Sequence, residues 1–346
     1  MSEARVTPIL LDVDTGIDDS LALLYACASL EADLVGVTCV AGNIDLDNVQ
    51  RNTRAVLELA GRGDVEVALG AAVPLVRPLV VAAETHGPRG LGYAELPEPH
   101  RPASARSAVQ VIVETIRSRP HEITLVAVGP LTNVATALDH EPALPTLIRR
   151  LVIMGGAYRV AGNTGPTTEW NARWDPEATK AVFDGFGAEA VQRARESDGL
   201  PARPLALGLD VTEQAKLMPH HLAALAALAG DDPDVPLSPV VRYLADALRF
   251  YMEFHSRYDG FYGAFIHDPL ALAAALDPSL VRATAVTVDV ELAGHFTTGE
   301  TVTDWRRLWG RPPTLDVAIE ADSERFLARF VERVGGLAAG AARGAD

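Results

Sequence analysis

A chain of 346 residues, 48% of them hydrophobic, is long enough to bury a large core in one or two domains. Its net charge of −16 argues against nucleic acid and anionic membranes as partners, because both need a basic protein surface. No apolar run reaches the ~18 residues of a membrane span, and the first five residues carry no long apolar segment. Both cysteines fall in apolar segments, which favours buried thiols over a disulfide and a reducing compartment, so we expect a cytoplasmic protein.

Short apolar runs alternate with longer amphipathic segments along most of the chain. The runs predict strands at 8–13, 34–40, 65–69, 123–128, 147–153 and 205–209, with helices between them at 20–30, 45–60, 104–117, 132–138 and 176–183. Helices at 239–258 and 269–276 follow, then strands at 284–292 and 314–320 and a helix at 323–334. This alternation predicts an α/β fold: a mainly parallel, doubly wound, Rossmann-like sheet with helices on both faces and a helical C-terminal part over the ligand-binding edge.

The organisation of the chain indicates one domain over residues 1–346, with a core at about 8–334, because neither a linker nor a repeat interrupts the pattern. Residues 185–204 are polar and punctuated by proline and glycine, which favours a surface insertion. The Ala/Gly-rich end, 335–346, is predicted to fray.

Four aspartates follow the first predicted strand within eight residues: Asp12, Asp14, Asp18 and Asp19. Asp12 and Asp14 share one face of an extended strand, and Gly16 permits a turn that brings the later pair back toward them. Four anions this close repel one another unless a cation lies among them, and a hard divalent cation is the cation that carboxylate oxygens hold best. For either of the later two alone, capping of the next helix is an equally good explanation.

Further polar residues follow other strands or occupy loops: Asn43, His86, Val128 (through its carbonyl oxygen), Asn163, Glu169, Trp170, Asn171, His267 and Asp268. Asparagine and glutamate supply the donors and acceptors that sugar hydroxyls require, and a carbonyl at a strand end can serve as a neutral metal ligand. A histidine that titrates near neutrality can act as an acid. Taken singly, each also fits a plainer structural role in a turn, a helix cap or a loop.

Together these segments resemble the inosine–uridine preferring nucleoside hydrolase family, in seven blocks that occur in the family's order from about residue 8 to about residue 330. The blocks are Asp12-Val13-Asp14-Thr15-Gly16-Ile17-Asp18-Asp19, Ala41-Gly42-Asn43, Thr85-His86-Gly87, Gly129-Pro130-Leu131-Thr132-Asn133, Met154-Gly155-Gly156-Ala157-Tyr158, Glu169-Trp170-Asn171 and His267-Asp268-Pro269. The sequence departs from the family's pattern at Thr15, where proline is usual.

The resemblance implies a calcium-dependent hydrolase that cleaves the N-glycosidic bond of ribonucleosides. It assigns Asp14, Asp19, Asp268 and the carbonyl of Val128 to Ca²⁺, Asp14 also to proton abstraction from a calcium-bound water, and Asp12 to support of the metal site. It implies that the ribose hydroxyls are bound by Asp18, Asn43, Asn163, Glu169 and Asn171. His86 and Trp170 would lie near the nucleoside, and His267 would act as an acid near the leaving base.

The partners expected from this resemblance are a small nucleoside and further copies of the chain in a homodimer or homotetramer. His255, Tyr258 and Tyr262 are candidates either for the base pocket or for plain packing. A haloacid-dehalogenase-like phosphatase is the nearest alternative enzyme, because its first strand also ends in Asp-x-Asp, but Thr15 follows Asp14 one residue too early and no later lysine is suitably placed. A non-catalytic nucleoside- or ribose-binding protein is the alternative from another class.

Overall fold

A nine-stranded sheet forms the centre of the protein in a computed structural model that describes residues 6–231 and 238–343. In chain order the strands are Thr7–Val13 (β1), Ala32–Cys39 (β2), Val67–Leu69 (β3), Thr124–Ala127 (β4), Arg150–Met154 (β5), Leu205–Leu207 (β6), Lys216–Leu217 (β7), Ala264–Phe265 (β8), Val281–Val290 (β9), Thr301–Asp304 (β10) and Leu315–Ala321 (β11). Of these, β7 and β8 form a separate two-stranded sheet. The helices are Ile17–Ala28 (α1), Leu46–Leu59 (α2), Ala83–His86 (α3), Ala108–Ser118 (α4), Thr132–His140 (α5), Leu144–Leu147 (α6), Trp170–Trp174 (α7), Pro176–Gly187 (α8), Glu189–Ser197 (α9), Leu209–Thr212 (α10), Pro219–Leu228 (α11), Pro239–Tyr258 (α12), His267–Leu276 (α13) and Ser323–Arg343 (α14).

Seven strands of the large sheet run parallel, in the order β11-β6-β5-β4-β1-β2-β3. At one edge β9 pairs antiparallel with β11, and β10 pairs antiparallel with β9. The chain proceeds from β1 to β2 and β3 on one side and then crosses to β4 on the other, so β1 and β4 flank the point at which ligands bind in doubly wound sheets. The predicted fold class is confirmed.

Strand β1 is covered on both faces, as its apolar sequence predicts. Ile9, Leu11 and Val13 pack into one hydrophobic cluster, and Leu10 packs into the cluster on the opposite face. All four side chains are fully buried. The first aspartates of the chain therefore lie at the end of a strand whose last five residues are all buried.

Several element boundaries differ from the predicted ones for local reasons. The predicted strand 147–153 begins only at Arg150, because Pro145 lies in the first turn of the short helix α6. The predicted strand 205–209 ends at Leu207, since Gly208 is the N-cap of α10. Ser107 accepts a hydrogen bond from the Gln110 amide, so helix α4 begins at Ala108 rather than at residue 104.

Residues 185–204 pack against the rest of the protein more closely than the prediction of a surface insertion implies. Helix α9 occupies the middle of this segment, and its Gln192 and Arg195 are buried. The Arg195 guanidinium donates hydrogen bonds to the backbone oxygens of Ile148, Arg149 and Pro201 at 2.7–2.9 Å. One side of the segment is therefore part of the folded core.

Residues 335–343, which the sequence predicts to fray, continue helix α14 in the structure. Val334 and Ala338 are fully buried there, because alanine and glycine on this face allow close packing. Residues 1–5, 344–346 and the short stretch 232–237 lie outside the described residues. None of the described helices combines the length and the apolar character that a membrane crossing requires.

Candidate active site

A cavity of about 710 Å³ opens at the carboxyl edge of the parallel strands. Twelve of the residues singled out from the sequence line it: Asp18, Asn43, His86, Val128, Asn163, Glu169, Trp170, Asn171, His255, Tyr258, His267 and Asp268. Asp14 and Asp19 are fully buried and are not among the lining residues. The structure therefore brings the predicted residues together in two layers, a lining and a buried layer behind it.

The acidic residues converge because two helices begin at the same place. Helix α1 starts directly after the loop that follows β1, and α13 starts after the short strand β8, which pairs with β7. The two helices pack against each other. Asp18 and Asp19 in the first turn of α1 thus approach Asp268 in the first turn of α13. Partial positive charge at both N-termini favours carboxylates there.

Asp19 is the most firmly fixed member of the cluster. Its Oδ1 accepts a hydrogen bond from the amide of Asp14 at 3.0 Å, and its Oδ2 accepts from the amide of Gly16 at 3.0 Å. The Asn43 side chain donates to the same Oδ2 at 3.1 Å, and the Asn43 amide donates to Asp14 Oδ2 at 2.7 Å. Asn43 therefore orders two carboxylates, a role that adds to its predicted contact with ribose.

Four buried carboxylates of this site each keep one oxygen without a hydrogen-bond partner among the described residues: Asp12 Oδ2, Asp14 Oδ1, Asp18 Oδ1 and Asp268 Oδ2. One carboxylate oxygen from each of Asp18, Asp19 and Asp268 lies within 4.8 Å of the others. Burial and the charge of Asp19 raise the pKa of Asp18 to about 8, and burial with neighbouring aspartates raises the pKa of Asp14 and of Asp268. A hard divalent cation would relieve both the repulsion and the lack of partners, so the donor set fits such an ion.

The Val128 carbonyl, predicted as a metal ligand, ends β4 at the cavity floor. It accepts a hydrogen bond from Asn171 Nδ2 at 2.7 Å. A carbonyl oxygen has two lone pairs, so one remains for another contact. Asn171 also donates to the Met154 carbonyl at 3.2 Å and thereby ties the ends of β4 and β5 together.

Asp12 supports the site from behind. Its Oδ1 accepts from Thr38 Oγ1 at 2.5 Å and from Asn133 Nδ2 at 2.8 Å, and its side chain is fully buried. Burial outweighs these hydrogen bonds and raises the pKa of Asp12 to about 7. Close by, Gly42 and Gly129 leave room for Asp14: a Cβ on Gly42 would lie 2.1 Å from Asp14 Oδ2, and one on Gly129 would lie 2.9 Å from Asp14 Oδ1.

The residues after β5 are held by their own backbone. Glu169 is the N-cap of α7, and its two oxygens accept from the amides of Gly156, Asn171 and Ala172 at 2.8–3.0 Å. Asn163 Oδ1 accepts from the Trp170 amide at 3.0 Å. The Trp170 indole N–H is buried without a partner among the described residues. Glu169 and Asn163 therefore shape the loop as well as facing the cavity.

Two of the three histidines that line the cavity, His86 and His267, have a hydrogen-bond partner at Nδ1. His86 Nδ1 accepts a hydrogen bond from the Ile17 amide at 3.1 Å, which leaves its proton on Nε2. His267 Nδ1 lies 2.8 Å from Thr212 Oγ1. Burial lowers the pKa of each imidazole to about 3. Thr212, which sequence reasoning missed, thus fixes the ring of His267; no local motif marks it.

Helix α12 supplies the aromatic wall of the cavity. Tyr251, Phe254, His255 and Tyr258 all line it, whereas Tyr262 is not a lining residue and is 46% exposed. Sequence reasoning selected His255 and Tyr258 but missed Tyr251, although the spacing of Tyr251 and His255 by four residues on a helix is a visible signal. The sequence left Tyr262 open between the base pocket and plain packing, and the structure does not bring it to the cavity wall.

Comparison with known proteins yields consistent results. The sequence profile of the inosine-uridine preferring nucleoside hydrolase family matches residues 9–328. A protein named pyrimidine-specific ribonucleoside hydrolase RihA from Enterobacter sp. (strain 638) is 38% identical over 328 residues, which are 94% of this chain and 97% of that protein. The protein of the same name from Escherichia coli O7:K1 is 37% identical, with 94% and 98% coverage.

Solved structures agree with the sequence comparison. The purine-preferring ribonucleoside hydrolase from Gardnerella vaginalis superposes with a TM-score of 0.86 at 33% identity, covering 97% of this chain and 100% of that one. A plant nucleoside hydrolase, the PpNRh1 enzyme, gives 0.83 at 30% identity, with 95% and 99% coverage. The chain therefore belongs to the inosine-uridine preferring nucleoside hydrolase family and is a ribonucleoside hydrolase that cleaves N-glycosidic bonds.

Proposed function

We propose that this ribonucleoside hydrolase uses Ca²⁺ to release ribose and a free base from its substrate. The observation that carries this proposal is the set of unpartnered carboxylate oxygens of Asp18 and Asp268, which line a nucleoside-sized cavity, and of Asp14, which lies buried behind that lining. Carboxylate and carbonyl oxygens in an irregular arrangement suit Ca²⁺ better than Mg²⁺, which demands near-octahedral geometry.

Asp14, Asp19, Asp268 and the Val128 carbonyl are the proposed metal ligands. A carboxylate oxygen of Asp18 lies within 4.8 Å of oxygens of Asp19 and Asp268, so Asp18 is proposed to bind the ribose hydroxyls next to the metal. When bound, the cation lowers the pKa of a water molecule and supplies coordination sites for hydroxyl groups. Asn43, Asn163, Glu169 and Asn171 complete the polar surface proposed to hold the sugar.

Asp14 is the proposed general base, because its Oδ1 is free to accept a proton while its Oδ2 is fixed by Asn43. Cleavage of the bond between ribose and base builds positive charge on the sugar ring, and the surrounding carboxylates stabilise that charge. Asp18 is a second candidate for the base, because it lines the cavity directly and Asp14 does not.

His267 is proposed to act on the departing base. Thr212 holds Nδ1 of the ring, so the other ring nitrogen is the one available to the leaving group. Burial lowers the pKa of this imidazole to about 3 before substrate binds, so the proposed acid role requires that the bound substrate raise that pKa. His86 and Trp170 are proposed to contact the nucleoside nearby.

The relatives carry names of opposite preference, pyrimidine-specific in sequence and purine-preferring in structure. We therefore propose that both base classes enter the cavity and that the enzyme serves nucleoside salvage. A cytoplasmic homodimer or homotetramer that binds neither nucleic acid nor membrane is proposed as well, and the net charge of −16 supports the last two points.

A reducing-sugar assay tests this proposal with inosine, adenosine, guanosine, uridine and cytidine, before and after treatment with a chelator. Ribose release that disappears with chelator and returns with Ca²⁺ but less with Mg²⁺ is expected. Release that continues in chelator would contradict the metal assignment. Release of phosphate from a phosphomonoester, with no nucleoside cleaved, would contradict the function.

A further inference from the structure

Thr15 takes the place of the family's usual proline in the turn between β1 and α1, which carries the proposed metal ligands. It lies between Asp14 and Gly16, and the Gly16 amide donates a hydrogen bond to Oδ2 of Asp19. The ring of a proline fixes φ at about −65°, whereas a threonine in the same position leaves φ free to vary. This turn therefore depends on the contacts that Thr15 makes with other parts of the fold.

Two consecutive residues of helix α2, Asn52 and Thr53, hold Thr15. The hydroxyl oxygens of Thr15 and Thr53 lie 2.6 Å apart. Thr53 donates its single hydroxyl hydrogen to the Val49 carbonyl at 2.8 Å, so the hydrogen between the two threonines belongs to Thr15. Asn52 Nδ2 donates to the Thr15 carbonyl at 3.3 Å. The side chain and the backbone of Thr15 are therefore both tied to the same helix.

Burial makes these contacts effective. Thr15, Asn52 and Thr53 are all fully buried. A turn conformation that broke the bonds would leave a hydroxyl and a carbonyl without partners away from water, which costs free energy. Asn52 Nδ2 also donates to the Arg89 carbonyl at 2.7 Å, in the loop that follows His86. Helix α2 therefore holds the turn and this loop against each other.

We propose that Thr15 and Thr53 are positioning residues, whose hydrogen bond holds the turn in its metal-binding form before the cation binds. Neither residue lines the cavity, so both act through the carboxylates of the turn. Those carboxylates repel one another in the metal-free protein, and an anchored turn lowers the cost of keeping them together until the ion arrives. This inference rests on the proposed function, because it assumes a cation in the cluster.

The test measures the dissociation constant of Ca²⁺ by isothermal titration calorimetry on metal-free protein, and stability by urea unfolding in chelator. Thr15→Ala and Thr53→Ala each remove one hydroxyl of the pair, alone and combined, whereas Thr15→Ser keeps the hydroxyl and loses only the methyl group. Thr179→Ala is the matched control, because Thr179 is also buried and its hydroxyl also donates to the carbonyl four residues earlier. Ribose release is followed as a function of Ca²⁺ concentration for each variant.

Thr15→Ala and Thr53→Ala should each weaken Ca²⁺ binding about 5-fold, the value of one hydrogen bond, and the double variant should lose no more than either alone. The Ca²⁺ concentration that gives half the maximal rate should rise by the same factor, more than the maximal rate falls. Thr15→Ser should bind Ca²⁺ as the wild type does, and Thr179→Ala should lower stability without changing the dissociation constant.

A purely structural hydrogen bond gives a different pattern. Thr15→Ala and Thr53→Ala proteins that lose stability but keep the wild-type dissociation constant would overturn the proposal, and so would losses in affinity that add in the double variant. Either result leaves the proposed function standing, provided that the wild type binds Ca²⁺ and cleaves nucleosides. A wild type that binds no Ca²⁺ refutes the proposed metal itself.

Discussion

Replacing Gly42 with alanine should disable the site without removing any of its carboxylates. The added Cβ would lie 2.1 Å from Asp14 Oδ2 and 2.9 Å from the Asp14 Cγ. Non-bonded heavy atoms need more than 3 Å, so the Asp14 carboxylate must move by about 1 Å. It would also lose the 2.7 Å hydrogen bond from the Asn43 amide, which orders the oxygen opposite the proposed basic one.

A displacement of about 1 Å in a reacting group can cost on the order of 100-fold, so kcat/KM for the best nucleoside should fall by about that factor. Gly129→Ala should cost less, because its Cβ would lie 2.9 Å from Asp14 Oδ1. Gly336→Ala is the control, since its Cβ would meet nothing within 4 Å. Ribose release is measured for all three, with thermal unfolding followed by circular dichroism to confirm folding. A folded Gly42→Ala enzyme with a nearly normal kcat/KM would refute the assignment of Asp14.

Three further predictions address the base, the acid and the packing of α9. Asp14→Asn should lower kcat by about 100-fold or more, the usual contribution of a general base; a greater loss in Asp18→Asn would transfer that role to Asp18. His267→Ala should reduce kcat/KM for inosine strongly and for p-nitrophenyl riboside little, because the activated leaving group needs no acid; equal losses would contradict the acid role. Arg195→Met should lower the free energy of unfolding by about 3 kcal/mol in a denaturant titration, because it leaves several buried carbonyls without a donor, and an unchanged midpoint would contradict that account.

The local sequence was sufficient to predict which residues come together in the part of the site that follows β1. Asp12, Asp14 and Gly16 lie on a buried strand and the turn after it, so their proximity follows from strand geometry alone. Asp268 is different, because about 250 residues separate it from this turn and only the packing of α1 against α13 unites them. The resemblance to a family supplied that connection before the structure did.

The depth of each carboxylate could not be read from spacing. Asp18 and Asp19 are adjacent in the first turn of α1, yet Asp18 lines the cavity and Asp19 lies behind it. Adjacent helical residues point about 100° apart, and which of them faces the cavity depends on how the helix packs. The second function of Glu169 was equally hidden, because its capping of α7 depends on three amides that the fold gathers.

The same buried carboxylates that form the site also oppose folding without a cation. Burial raises the pKa of Asp14, Asp18, Asp19 and Asp268, so their charged forms are less stable in the folded chain than in the unfolded one. Each such group stabilises the fold only while it holds a proton, and that contribution is lost as pH rises through its folded pKa. A divalent cation can take the place of those protons at neutral pH, so the free energy of binding the metal also stabilises the fold. Hydrogen bonds to Asp19 and to Oδ1 of Asp12 offset part of the cost, whereas Asp12, Asp14, Asp18 and Asp268 each keep one oxygen that has no partner among the described residues. Among these, Asp14, Asp18 and Asp268 belong to the proposed metal and ribose site, so removing the metal should affect activity and stability through these three residues first.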